Sequence, residues 1–210
     1  IPARSGSKRI KNKNIKKFNG KPLIYYSINL AKRSKLFKRI IVTTDSNKIA
    51  NIAKKYGAET PFIRNKKLSN DKTITYEVLK DCVKKLKINS DYFFCIYPTA
   101  PLIGVNDLKN AFRKLKKIKY DGLIATCEYS SSPYRALTVN KNNLKYVNSK
   151  YALARSQDLK KMLFDTGSFY IFKTIKYIKN KGKLMRKVTN YNLNRYSSID
   201  INTLEDFKFA

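Results

Sequence analysis

Short apolar runs with strand-like composition alternate with stretches of helical periodicity along most of the 210 residues, and no other feature restricts the fold as strongly. Such alternation builds a mainly parallel sheet covered by helices. Leu23, Ser27 and Leu30, with Ile24, Ile28 and Ala31, fall at helical spacing behind Pro22, a residue that suits a first helical turn. Residues 39–44, centred on Ile40, Ile41 and Val42, read as a buried strand ending at Asp45. Ser46 then caps a helix whose Ile49, Ile52, Ala53 and Tyr56 form one face, and Gly57 stands where a helix end favours a left-handed residue. A short strand over 60–63, a helix from about 74 to 86 and a strong strand over 92–97 follow, the last stopped by Pro98 and Pro101. Leu108, Ala111, Phe112 and Leu115 mark a further helix, and residues 122–127 and 167–172 two more strands. Residues 130–160 hold short β-like pieces and a polar loop, and are expected to form a small protruding arm within a single domain spanning 1–210. The chain opens on Ile1 in what reads as a strand end, so a few residues of the natural protein are expected to precede it.

Forty-six Lys and Arg against 14 Asp and Glu leave a formal charge of +32, a field that attracts polyanions: nucleic acid, an acidic membrane or a phosphate-bearing substrate. The lysines occur in almost every segment, which reads as solvated faces more than one built patch. No RNA-binding or helix-turn-helix signature accompanies them, so no specific nucleic-acid partner is expected. Histidine is absent, which removes imidazole metal sites and Ser-His-Asp chemistry. Any metal must then be held mainly by oxygen, which favours Mg²⁺. Cys82, Cys95 and Cys127 are odd in number and each sits in an apolar stretch, so buried free thiols in a reducing compartment are expected. No apolar run has the length of a membrane helix and no signal peptide precedes the first motif, so a cytoplasmic protein without membrane contact is expected.

The opening stretch IPARSGSKRIKNKN carries the most chemistry. A small turn of Ser5, Gly6 and Ser7 lies between Arg4 and the cations Lys8, Arg9 and Lys13, followed by Asn14. Backbone N–H groups in such a turn can converge on phosphate oxygens while the cations neutralise a triphosphate. Neither the P-loop nor the G-x-G-x-x-G spacing is present. In a chain this rich in lysine, the same stretch also reads as a solvated basic loop.

The stretch resembles the signature of the sialic-acid-type (nonulosonic acid) cytidylyltransferases, approximately I-P-A-R-x-G-S-K-x-[IL]-x-x-K-N, with matches at Ile1, Pro2, Ala3, Arg4, Gly6, Ser7, Lys8, Ile10, Lys13 and Asn14. The similarity continues in family order through NGKPLIYYSI, IIVTTDSNKIANIAKKYGAETPFIR, LSNDKT, IYPTAPL, ARSQD, the G-x-[FI]-Y-I strand and SIDINTLEDF. Two segments, residues 96–101 and 164–170, look most like the pseudaminic acid branch of that family, whereas other members tend to carry Gln where Tyr97 stands.

The resemblance implies a Rossmann-like α/β nucleotidyltransferase sheet and transfer of CMP from CTP to the anomeric hydroxyl of an acidic nine-carbon sugar, with Mg²⁺ and release of pyrophosphate. By analogy Arg4, Ser5, Gly6, Ser7, Lys8 and Lys13 would grip the triphosphate, Lys13 would stabilise charge in the transition state, and Asn14 would orient the cytidine or the loop. Arg64 and Thr75 match nucleotide-holding positions, with Ser69 and Asp71 in the same loop; without the resemblance they read as an exposed Arg and a helix cap. Tyr97 and Thr99 in IYPTAPL would face the base or the sugar. Asp200 is the candidate Mg²⁺ ligand, although Ser198 replaces the first carboxylate of the Asp-x-Asp that relatives often carry, and Asn202 and Glu205 have the spacing of a helix cap and its partner. Arg155, with Gln157 beside it, and Arg135 would meet the sugar carboxylate, and Gly167 would leave room for the sugar. A homodimer, with the 130–160 arm completing the neighbouring pocket, is implied by the resemblance alone. The competing expectations are an N-acetylneuraminate, legionaminate or 3-deoxy-octulosonate enzyme, a basic nucleic-acid-binding protein, and a nucleotide binder without turnover.

Overall fold

The computed structural model describes residues 1–180 and 187–210. Two short strands, β1 (Lys17–Phe18) and β2 (Lys21–Pro22), form a hairpin through Asn19 and Gly20, both at positive φ. Helix α1 (Leu23–Ser34) starts directly after Pro22 and buries the face carrying Leu23, Ile24, Ile28 and Leu30. Helix α2 (Asn47–Lys55) is capped by Ser46, whose hydroxyl accepts from Ile49 N, and Gly57 adopts φ +88° just beyond its end.

Residues 1–3, 41–44 and 59–63 run alongside one another through the parallel bridges Pro2↔Thr43, Ile41↔Glu59 and Thr44↔Ile63. The regular strand expected over 39–44 is therefore an extended segment held by isolated bridges. The cause lies in the register, since the step from 41 to 44 faces the longer step from 59 to 63. Pro61 lies within that longer step and has no N–H to give to a ladder.

Helix α3 (Thr75–Lys85) leads to β3 (Tyr92–Ile96), helix α4 (Val105–Lys117) and β4 (Gly122–Glu128). Strands β5 (Leu137–Asn140) and β6 (Asn143–Tyr146) form a hairpin, turned through Lys141 and Asn142 at positive φ. All residues of β5 and β6 are exposed, and this is the 130–160 segment singled out from the sequence. Strand β7 (Leu163–Lys173), helix α5 (Thr174–Lys179), strand β8 (Val188–Asn192) and helix α6 (Leu204–Phe209) complete the described chain. The four longer strands are ordered β3-β7-β4-β8. β7 is antiparallel to β3 and β4, whereas β4 and β8 are parallel, so one reversed strand is set into the mixed, mainly parallel sheet expected for this class.

The main core lies between α1, α4 and the sheet, around fully buried Leu108, Leu115, Leu123, Phe169 and Ile171. A second cluster joins α1 and α2 to the amino-terminal segment through Ala3, Ile24, Ile28, Val42 and Ile49. The three cysteines are free and buried, and burial pushes the Cys95 thiol up to about 12. None of the described helices is long and apolar enough to cross a membrane.

The cap of α6 differs from the expected one by a residue. Thr203 is the N-cap, its hydroxyl accepting from Asp206 N at 3.2 Å, while Asp206 accepts from Thr203 N and Asn202 N. Asn202 and Glu205 do not pair. The spacing fits both registers, but only a start at Thr203 lets Asp206 reach back to two amides, and it leaves the Asn202 side chain to meet Arg9, Lys13 and Asp200.

Candidate active site

A cavity of about 480 Å³ opens at the ends of the parallel segments, lined by Arg4, Ser7, Lys8, Arg9, Lys13 and Asn14 on one side and by Arg64, Asp71, Thr75, Tyr97 and Thr99 on the other. This is the edge at which open α/β sheets take up ligands. The opening motif thus folds beside residues that follow it by 60 to 100 positions in the chain.

The loop is fixed from beneath. Asp45, at the end of the second extended segment, accepts from Ser5 N at 2.8 Å and Ser5 Oγ at 2.7 Å. Asn14 is buried, lines the cavity and donates from Nδ2 to Arg4 O at 2.9 Å, which braces the loop. Ser7 N is bonded to Ser5 O. The Ser5 amide is thus spent on Asp45 and the Ser7 amide within the loop, and Ser5 and Gly6 do not line the cavity. A Cβ on Gly6 would meet nothing within 4 Å, so no contact in this structure demands a glycine there.

Lys13 stands on a short 3₁₀ turn (Lys13–Ile15) and crosses to the far end of the chain, donating from Nζ to Ile201 O at 2.7 Å and Asn202 Oδ1 at 3.4 Å. Arg9 donates to the same Asn202 oxygen at 2.8 Å. An ammonium has three donors, so one N–H of Lys13 is left for an incoming anion. Burial lowers the pKa of Lys13, with the Asp200 charge acting in the opposite direction.

Asp200 accepts from Asn202 Nδ2 with Oδ2, while its Oδ1 is buried without a hydrogen-bond partner among the described residues. A buried, unpaired carboxylate oxygen is costly unless something fills its place, and a hard cation such as Mg²⁺ suits it. Ser198, where relatives often carry the first carboxylate, is buried and donates to Arg195 O at 2.8 Å, so its hydroxyl closes its own turn. Among the described residues no group of three or more His, Cys, Asp or Glu is gathered for a metal, which leaves Asp200 as a single-carboxylate donor.

Gly167 sits over Asp200 for a backbone reason. Between Ile124↔Tyr170 and Thr126↔Asp165 the β4–β7 register shifts, and the bulge on β7 places Gly167 at φ +61° with its missing Cβ 3.6 Å from Asp200 Oδ2. Asp165 steadies the bulge, accepting from Gly167 N and Tyr170 OH. Tyr97 donates its hydroxyl to Thr75 Oγ1, and its ring meets Tyr170 edge-on at 5.9 Å. Burial raises the pKa of both phenols, so each is a neutral donor at physiological pH.

Arg64 is not the exposed arginine that composition alone suggests. It is 4% exposed, donates from Nε to Ser69 Oγ at 3.0 Å, and has no carboxylate within ion-pair distance among the described residues. Burial lowers its pKa. Thr75 is the first residue of α3 and not its cap, which is Ile74.

The residues expected at the sugar divide between two places. Thr99 lines the cavity above; Gly167 stands beside Asp200, and neither of those two lines it, although Lys13 ties the cavity wall to the neighbouring Ile201; Arg135 and Gln157 line a separate cavity of about 470 Å³ at the base of the arm. Arg155 is exposed and paired with Asp158 at 2.7 Å. Within one chain the arm residues do not join the cationic pocket. Sequence reasoning overlooked Asp45, Asp165 and the Ile201 carbonyl, and only Asp45, at a strand end on the ligand-binding edge, carried a readable signal.

Fold and pocket together define an α/β nucleotidyltransferase. A family profile described as cytidylyltransferase matches residues 1–208, and the chain belongs to that family. The chain is 37% identical to a pseudaminic acid cytidylyltransferase of Campylobacter jejuni, covering 100% of this chain and 92% of the relative. It is 34% identical to a CMP-N,N'-diacetyllegionaminic acid synthase of Campylobacter jejuni, covering 100% and 91%. An N-acylneuraminate cytidylyltransferase of Escherichia coli is 29% identical over 100% of this chain and 50% of its own length. The fold matches that of a CMP:2-keto-3-deoxy-manno-octonic acid synthetase solved with CTP, at a TM-score of 0.72 and 15% identity over 99% of this chain and 93% of that one.

Proposed function

We propose that the chain transfers CMP from CTP to the anomeric hydroxyl of an acidic nine-carbon sugar, pseudaminic acid, in the cationic cavity at the sheet edge. The observation that carries this reading is Arg64, a buried cation that faces the cavity without a carboxylate partner among the described residues, beside Arg4, Lys8 and Lys13. A buried cation without a counter-charge is destabilising, and a triphosphate supplies one. The choice of sugar follows the 37% identical relative together with Tyr97 and the FDTGSFY segment.

In this reading the sugar hydroxyl attacks the α-phosphorus in line. The new C–O–P bond forms as the bond to the β-phosphate oxygen breaks, pyrophosphate leaves with the electron pair, and the hydroxyl proton passes to the departing pyrophosphate or to solvent. Such a reaction depends on positioning and charge neutralisation, with no covalent enzyme intermediate required. Arg4, Lys8 and Arg64 hold the β- and γ-phosphates, and the free N–H of Lys13 meets the oxygen on which charge grows. Asp200 Oδ1 would hold Mg²⁺, which when bound neutralises phosphate charge. Gly167 lets the sugar approach Asp200. Arg135, Arg155 and Gln157 lie in or beside the arm, so they serve the sugar of a neighbouring subunit in a homodimer. The protein carries out this chemistry in the cytoplasm.

The test is pyrophosphate release from CTP and Mg²⁺ with pseudaminate, N-acetylneuraminate, legionaminate and 3-deoxy-octulosonate offered in parallel. Release should require the sugar and be fastest with pseudaminate. A faster rate with another sugar would overturn the choice of substrate, and no release with any of them, while CTP still binds, would overturn catalysis.

A further inference from the structure

Asp71 occupies a position that the reaction does not explain. It stands on the exposed turn between a 3₁₀ helix (Lys66–Leu68) and α3, and that turn is shaped by its own side chains. Asn70 Oδ1 accepts from Lys72 N and Thr73 N, and Thr73 Oγ1 donates to Lys67 O. The result aims the Asp71 carboxylate across the cavity mouth. One oxygen lies 2.7 Å from Arg4 Nη1 and the other 2.6 Å from Lys8 Nζ, so the two cations of the opening loop share a single anion.

Both cations line the same cavity as Lys13 and Arg64, and Asp71 lines it with them. Lys8 and Arg4 hold the Asp71 carboxyl below the usual carboxylate range, so it remains charged at any pH at which the enzyme works. Neither cation has another carboxylate within ion-pair distance among the described residues. Triphosphate oxygens and the Asp71 oxygens therefore compete for the same N–H groups.

We propose that Asp71 is an internal stand-in for the triphosphate: it holds Arg4 and Lys8 together over the pocket while CTP is absent and must be displaced for CTP to bind. The idea rests on the cavity being the nucleotide site. A single carboxylate is a weak occupant for a site built around several phosphate groups, so nucleotide displaces it, whereas a singly charged anion does not. Asp71 thereby raises the concentration of CTP needed for binding and blunts capture of other anions by this lysine-rich surface. It is a positioning residue. Once displaced, it has no part in the chemical step.

The experiment compares the whole protein with Asp71→Asn and Arg64→Ala by calorimetric titration of CTP and of inorganic tripolyphosphate, at two salt concentrations, with steady-state rates alongside. Asp71→Asn keeps the shape of the side chain and removes its charge. It should bind both ligands about three- to tenfold more tightly, since half-exposed ion pairs are weak and each tenfold is a modest energy. The KM for CTP should fall with kcat unchanged, and the salt dependence should steepen because two cations are released. If Asp71→Asn instead weakens both ligands, Asp71 is a brace that orients the cations and the proposal is overturned. Unchanged affinity at either salt concentration also overturns it. CTP binding that Arg64→Ala leaves untouched would remove the nucleotide site itself, a separate failure from that of Asp71. Melting temperatures within about 2 °C of the parent would show that the exposed substitution acts on binding and not on folding.

Discussion

Replacing Lys13 by methionine separates chemistry from folding more cleanly than any other change in the pocket. Methionine retains much of the aliphatic stem and deletes the ammonium. In the structure that ammonium makes one short bond to Ile201 O, one long bond to Asn202 Oδ1, and keeps one N–H free. Losing a hydrogen bond to a charged group costs roughly 1.5–3 kcal/mol, but burial already penalises the charge, and water in the cavity can reach the Ile201 carbonyl. The two effects oppose, so the net change in stability should stay within about 1 kcal/mol. Loss of a donor aimed at developing charge is larger, on the order of 2.7–4 kcal/mol, or a 10²- to 10³-fold fall in kcat. The assay is pyrophosphate release at saturating CTP and sugar, with a thermal melt of the same preparation. The pH profile adds a sign. Because burial lowers the Lys13 pKa, the rate should fall on the alkaline side before the ordinary lysine value of roughly 10.4 is reached, and Lys13→Arg should move that limb upward. Stability runs the other way. A lysine whose folded pKa lies below its unfolded one penalises the fold while charged, and the penalty disappears as pH rises from the folded value to the unfolded one. A kcat within threefold of the parent, or a loss of activity matched by a loss of folding, would refute this assignment.

Three further outcomes follow from the same geometry. Arg64→Ala should raise the KM for CTP by about 10- to 100-fold, as expected for a lost charge-assisted phosphate contact, without lowering the melting temperature, because the change also removes a buried unpaired cation. Calorimetry and a thermal melt check both halves. Asp200→Asn should raise the Mg²⁺ concentration needed for half-maximal rate by about tenfold or more, read from a metal titration after chelation, because a neutral amide is a poorer partner for a hard cation. Phe169→Ala, at a fully buried position on β7, should cost about 3–5 kcal/mol in urea unfolding.

The elements were legible where periodicity and capping agreed. Ser46 and Gly57 bound α2 as their chemistry requires, and the apolar face of α1 follows from the spacing of Leu23 to Ala31. The extended segment at 39–44 was legible as buried, but its broken ladder was not, since the interruption comes from Pro61 and a register mismatch in a segment it meets only in three dimensions. The α6 cap was displaced by a residue for a related reason: Asn202 and Thr203 are both acceptable caps, and the choice depends on Asp206 reaching two amides. For the pocket, Arg4, Lys8, Lys13 and Asn14 fall within one short motif and are readable from it. Asp45 was readable as a strand end on the ligand-binding edge, though not its bond to Ser5; the Ile201 carbonyl beneath Lys13 and the Asp165–Gly167 bulge beside Asp200 are long-range or backbone features, invisible to spacing. The burial of Arg64 was hidden for the same reason, since an arginine is ordinarily exposed and only the folded chain shows it enclosed.

The most direct measurement is a crystal structure of the protein with CTP and Mg²⁺. The triphosphate should lie among Arg4, Lys8, Lys13 and Arg64, with the α-phosphate toward Asp200 and Gly167. Nucleotide bound in the cavity at the base of the arm, with those four cations turned to solvent, would contradict the account.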